Sequence, residues 1–120
     1  MGLVDYQAAF LLDACRLIVK ATELGFIVTA GELHRPQEMQ DIYVKTGRSK
    51  TRTSQHGKRL AIDLNLFWQG KLATREQIKP LGDWWEKQHP KNRWGGNWRG
   101  LVDAGKSSFV DAPHFERQDA

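Results

Sequence analysis

A chain of 120 residues, 40% hydrophobic and 27% charged, is long enough for one domain with a modest core. No stretch approaches the ~20 apolar residues that a membrane-spanning helix needs, and a single cysteine excludes an internal disulfide. The net charge is +4, much of it in Arg48, Lys50, Arg52, Lys58 and Arg59, a stretch that either attracts an anionic polymer or lipid or is simply solvated.

The N-terminal residues 1–5 lack a basic segment ahead of an apolar run, so no secretory signal is visible and the expectation is synthesis in the cytoplasm. Apolar residues at helical spacing (Phe10, Leu11, Ala14, Cys15, Ile18, Ala21) predict an amphipathic helix over 4–24, with Asp5 as N-cap and Gly25 as the stop. Cys15 is read as a small buried hydrophobe. Residues 26–30, Phe-Ile-Val-Thr-Ala, suit a short strand. Pro36 suits the first turn of a helix over 37–45. Residues 47–58 are polar and basic and read as a loop.

Residues 60–67 alternate. Leu60, Ile62, Leu64 and Leu66 form the core face of a strand, while Ala61, Asp63, Asn65 and Phe67 point the other way. Gln69-Gly70 is a turn. A helix is expected over 74–89, capped by Thr74 and interrupted or kinked at Pro80 and Gly82. Trp94-Gly-Gly-Asn-Trp98 reads as a glycine-hinged aromatic loop. The span 109–116 holds a last short strand with Pro113 at its start. Of the five tryptophans, most are expected in the core. Trp84 and Trp85 cannot both face inward, and Trp94 and Trp98 are candidates for shaping a groove.

His56 and Asp63, with Asp111-Ala-Pro-His114 some fifty residues later, carry the chemistry. They supply two imidazoles and one carboxylate for a metal, with a second carboxylate left over. Three protein ligands and an open fourth position are how catalytic zinc sites are built. Aspartate is depleted in strands, and a metal partner explains one at position 63. His34 and His89 have no partner spacing and are read as surface residues.

Ser54-Gln-His56, six residues, Asp63, then Asp111-x-x-His114 resembles the zinc peptidases of the D-alanyl-D-alanine carboxypeptidase and phage endolysin group. Within that group it is most similar to the L-alanyl-D-glutamate endopeptidases. Glu32, Arg35, Gln37, the Leu60-Ala-Ile-Asp-Leu64 run and Trp94-Gly-Gly also resemble its members. The chain departs from the common pattern at Arg59, where the group has glycine three residues after the first zinc histidine; here a glycine falls at 57.

The resemblance implies a Zn2+ cofactor held by His56, Asp63 and His114. It implies Asp111 as the base that takes a proton from the attacking water and returns it to the leaving amine. Arg35 would stabilise the oxyanion or hold a substrate carboxylate, Ser54 would hydrogen-bond within the site or to substrate, and Gln37 would contact substrate. Glu32 is read as an ion-pair buttress for Arg35.

The expected fold is α+β, a small, mainly antiparallel sheet flanked by helices with the zinc site at the sheet, as in Hedgehog and D-Ala-D-Ala peptidase domains. Residues 1–120 then form one zinc peptidase domain. The expected activity is hydrolysis of a peptide bond in the peptidoglycan stem peptide, that between L-alanine and D-glutamate, by a monomeric phage or prophage endolysin, cytoplasmic until released to the cell wall. The expected partner is bacterial peptidoglycan, without nucleic acid and without stable membrane insertion. Removal of terminal D-alanine is the alternative within the same chemistry. A basic nucleic-acid-binding or wall-binding module is the alternative outside it.

Overall fold

The computed structural model describes residues 2–47 and 55–118. Three helices, α1 (Leu3–Glu23), α2 (Gln37–Lys45) and α3 (Arg75–Gln88), accompany five strands: β1 (Ile27–Ala30), β2 (Ala61–Trp68), β3 (Lys71–Leu72), β4 (Asn92–Trp94) and β5 (His114–Arg117). The sheet order is β1-β2-β5-β4, with β3 hairpinned onto β2, and every pairing is antiparallel. The fold is therefore α+β, as the alternation and periodicity predict.

The strand register sorts the sheet into two faces. Ile62 lies opposite Phe115, and Phe115 opposite Trp94. This row is buried with Leu64 and Leu66 against Phe10, Leu17, Ile78, Leu81 and Trp85. Trp85 meets Phe10 and Phe115 edge to face, a favoured aromatic geometry. Side chains alternate along a strand, so Asp63 and its partner His114, and Glu116 with its neighbours Ala61 and Arg93, belong to the other face.

Helix α1 buries Phe10, Ala14, Leu17 and Ala21, a stripe at i, i+4, i+7 and i+11. Leu11 and Cys15 lie about 100° round the helix from that stripe and are exposed, which corrects the reading of Cys15 as buried. Asp5 is not the N-cap. It stands one turn in, and its carboxylate accepts from the amide of Gly2 at 2.9 Å.

Helix α3 runs on through Pro80 and Gly82, so neither residue interrupts it. Gly82 is a packing site rather than a breaker: a Cβ there would stand 2.1 Å from Cδ2 of Trp94. Trp94 is clasped from its other end by Gly96, where a Cβ would stand 2.1 Å from Cζ2. Thr74 caps α3 as predicted, accepting from Gln77 N at 3.2 Å. The strands β3 and β4 have no counterpart in the sequence reading.

Candidate metal centre

His56, Asp63 and His114 converge. Nε2 of His56 is 3.1 Å from Oδ1 of Asp63 and 3.1 Å from Nδ1 of His114, and Nδ1 of His114 is 3.2 Å from the same Asp63 oxygen. Local structure explains each placement. Asp63 and His114 are cross-strand partners on β2 and β5. His56 reaches them from the turn before β2, where Arg59 N bonds to His56 O at 3.2 Å and Leu60 N to Gln55 O at 2.8 Å. That turn places Arg59 at φ 58°. The left-handed residue is thus Arg59, the position where the resembling group has glycine, and not Gly57.

The segment leading from β1 to α2 fixes two of the three ligands. Gly31 N donates to Asp63 O at 2.9 Å and Asp63 N to Glu32 O at 2.8 Å. Leu33 O lies 3.0 Å from Nδ1 of His56, and Arg35 N donates to His56 O at 3.3 Å. Gly31 has no substitute here, since a Cβ would lie 2.7 Å from the Asp63 carbonyl oxygen.

Hydrogen bonding sets both tautomers. His56 donates from Nδ1 to the Leu33 carbonyl. His114 donates from Nε2 to Oε1 of Glu116 at 2.7 Å. The remaining ring nitrogens, Nε2 of His56 and Nδ1 of His114, therefore present lone pairs to one point beside a carboxylate oxygen. Three acceptors this close repel unless a cation or proton lies among them.

The donor set fits zinc. Two imidazoles and a carboxylate are its usual ligands, and at bond lengths of about 2.0–2.1 Å the edge of a tetrahedron is about 3.3 Å, close to the three separations here. The outer hydrogen bonds to each histidine are those that orient metal ligands.

Charge is concentrated at this point. Burial of Asp63 would raise its pKa, but bonds to His114 and His56 outweigh it and hold the carboxyl well below the ordinary value. Burial likewise opposes a charged His114, yet the Asp63 and Glu116 carboxylates lift it to about 9.

Asp111 is half-buried in the turn that precedes β5, its main chain tied to Gly95 O at 2.8 Å and to His114 N at 3.1 Å. Burial pushes its carboxyl up. His114, His56 and Arg35 pull it down and Asp63 adds to the rise, so the group feels the whole cluster electrostatically. Among the described residues its carboxylate has no hydrogen-bond donor. A carboxylate with a raised pKa beside a group of residues able to hold a metal has the properties of a general base.

Arg35 is locked in place. It pairs with Glu32, as expected, donates from Nη1 to Gln40 Oε1 at 2.7 Å and lies 4.6 Å over the Tyr43 ring. Gln37 is exposed at the start of α2 and donates to Asp41 at 2.8 Å; the buried glutamine that reaches Arg35 is Gln40. Ser54 lies outside the described residues, as do Arg48, Lys50 and Arg52 of the basic stretch.

Two residues of the site escaped the sequence reading. Glu116 was within reach of it, because His114 and Glu116 are two apart on a strand and so share a face. Gln40 gave no signal. Of the tryptophans, Trp94 is core, while Trp98 borders the site, its ring 5.5 Å from that of His114.

A sequence profile described as D-alanyl-D-alanine carboxypeptidase matches residues 47–117, more than half of the chain. Among solved structures, the chain is similar to the Serratia marcescens L-Ala D-Glu endopeptidase ChiX. The TM-score is 0.63 at 24% identity, over 88% of this chain and 78% of that one, a likeness of fold. Comparison with curated protein sequences finds no match.

Proposed function

Because the chain belongs to the D-alanyl-D-alanine carboxypeptidase family of peptidases, we propose that it hydrolyses a peptide bond in the stem peptide of bacterial peptidoglycan, using zinc held by His56, Asp63 and His114. The observation that carries the reading is the convergence of two imidazole lone pairs and one carboxylate oxygen at 3.1–3.2 Å. Residues 1–120 act in it as one peptidase domain.

Zinc in such a site supplies Lewis acidity, which polarises a carbonyl and acidifies water. The chain's own groups do the rest. Asp111 accepts the proton of the attacking water and delivers it to the leaving amine. Arg35 faces the negative charge that develops on the carbonyl oxygen, its guanidinium held in advance by Glu32 and Gln40, so little reorganisation is needed as charge builds. Glu116 keeps His114 in the tautomer that ligates.

The bond we assign is L-alanyl-D-glutamate, supported by the likeness of fold to an endopeptidase of that name. Release of terminal D-alanine is the second reading, favoured by the description of the family profile. A lytic role for a phage or prophage, with the enzyme held in the cytoplasm until it is released to the wall, follows by analogy with endolysins of the group.

The test is digestion of purified peptidoglycan with chelated and zinc-restored protein, products identified by mass spectrometry. Zinc-dependent appearance of new D-glutamyl amino termini supports the endopeptidase; free D-alanine supports the carboxypeptidase. Full activity without metal would remove the proposal.

A further inference from the structure

We propose that Arg93, stacked on Trp98 at the rim of the metal centre, is the residue that reads a free α-carboxylate on the leaving-amine side of the scissile bond; this deepens the peptidase reading above and rests on it. The register places Arg93 on the site face of the sheet: it lies opposite Glu116, which lies two residues from His114 on β5. Its guanidinium carbon stands 5.0 Å from the Trp98 ring, and that ring stands 5.5 Å from the His114 ring. One indole therefore separates a fixed positive charge from a metal ligand.

The charge is uncommitted. Arg35 is paired with Glu32, Arg75 with Glu76 and Asp103, and Arg117 with Asp13. Among the described residues the Arg93 side chain makes no hydrogen bond or ion pair. The acid opposite it, Glu116, is turned to His114. Arg35, neutralised by Glu32, is the poorer choice for a second anion. A half-buried guanidinium over an aromatic face keeps its planar fork free for bidentate capture of a carboxylate.

The platform under Arg93 is strained. Trp98 and Arg99 adopt φ of 49° and 56°, followed by Gly100 at 93°. Left-handed non-glycine residues are costly and gather at ligand clamps. The strain is held by the Glu86 carboxylate, which accepts from Trp94 N at 3.0 Å and Arg99 N at 2.7 Å. Trp98 is also tied from Nε1 to Phe109 O at 3.0 Å and stacked on the Phe109 ring.

The substrate chemistry supplies a matching group. When a stem peptide continues through the side-chain carboxyl of D-glutamate, the α-carboxylate of that residue stays free beside the scissile nitrogen. A C-terminal D-alanine carries one in the same place.

The experiment compares L-alanyl-γ-D-glutamyl-L-lysine with its α-carboxamide counterpart, using zinc-loaded wild type, Arg93→Gln and Arg93→Lys. Wild type is expected to favour the free acid by about 10- to 100-fold in kcat/KM, the range of one charge-assisted hydrogen bond. Arg93→Gln should lose that preference mainly through KM, and Arg93→Lys should recover part of it. An Arg93→Gln enzyme that cleaves and still discriminates overturns the assignment. Cleavage of neither peptide by wild type would count against the peptidase reading instead. The assignment is then decided by binding of the acid peptide, followed through the indole N–H resonance of Trp98. Binding to wild type that is lost in Arg93→Gln upholds it; equal or absent binding overturns it.

Discussion

Glu116 Oε1 stands 2.7 Å from Nε2 of His114, and that single contact decides which nitrogen of His114 faces Asp63. Removing the acceptor should loosen both the tautomer and the ring. Glu116→Ala, which leaves no acceptor, is expected to weaken zinc binding by about 10- to 100-fold, the usual effect of losing an outer partner of a metal ligand. Competition against a chelating dye measures it. Unchanged affinity would show that the Asp63 contact alone orients His114.

Asp111 makes a different prediction, because it is assigned to the proton and not to the metal. Asp111→Asn should bind zinc as wild type does and lose about 100- to 10,000-fold in kcat. Metal content and turnover must be measured on the same preparation. Loss of zinc along with activity would mean that Asp111 is a ligand.

Arg59, at φ 58° in the turn behind His56, stores local strain of about 1–2 kcal/mol. Glycine adopts that conformation freely but loses more chain entropy on folding. Arg59→Gly should therefore leave the midpoint of urea unfolding unchanged or raised, whereas Arg59→Val should destabilise by about 1–2 kcal/mol. The reverse order of the two variants would refute a left-handed residue at 59.

Gly82→Ala tests the clasp on Trp94. Alanine is the better helix former by about 1 kcal/mol, yet its Cβ would fall 2.1 Å from Cδ2 of the indole. Overpacking should win, with a net loss of about 1–3 kcal/mol. Combining it with Trp94→Leu should cost less than the sum of the two single changes, read from thermal or urea unfolding.

Acid should act through Asp13. Burial tends to raise its carboxyl, but the guanidiniums of Arg117 and Arg16 outweigh it and hold the group below 3.8. A carboxyl depressed in the folded state contributes stability above its unfolded pKa and loses it as pH falls through the folded value. The difference in unfolding free energy between wild type and Asp13→Asn should be constant at neutral pH and shrink once the pH drops below about 4. A difference that persists at pH 2 would exclude the ion pair as its source.

Much of the fold was legible where side chains obey a period. The alternation over β2 placed Asp63 opposite the core face, and the end signals of α1, α2 and α3 lie within a residue or two of the observed bounds. Phase was harder than period. Leu11 and Cys15 lie one residue off the stripe led by Phe10 and Ala14, and a propensity argument cannot separate neighbours 100° apart. Pro80 and Gly82 misled because helix rules are local, while Gly82 answers to Trp94, twelve positions away. Strands of two and three residues, such as β3 and β4, are too short to show alternation.

The site was readable as a set of types but not as a shape. His56, Asp63 and His114 stand out by chemistry. Their meeting depends on the turn at Arg59 and on antiparallel pairing of β2 with β5, which no spacing encodes. Arg93 is invisible as a site residue until β4 is known to pair with β5.

The stretch from Gly31 to Arg35 touches Asp63 and His56 through main-chain atoms and then presents Arg35. It works as a ruler whose graduations are peptide units. Leu33 and His34, both exposed, are free to vary in kind, because Leu33 reaches His56 through its carbonyl oxygen and His34 only spans the distance to Arg35. Their number is not free: one residue more or less would shift the guanidinium out of step with two ligands at once. Drift in this part of the chain should therefore be by substitution, never by insertion or deletion.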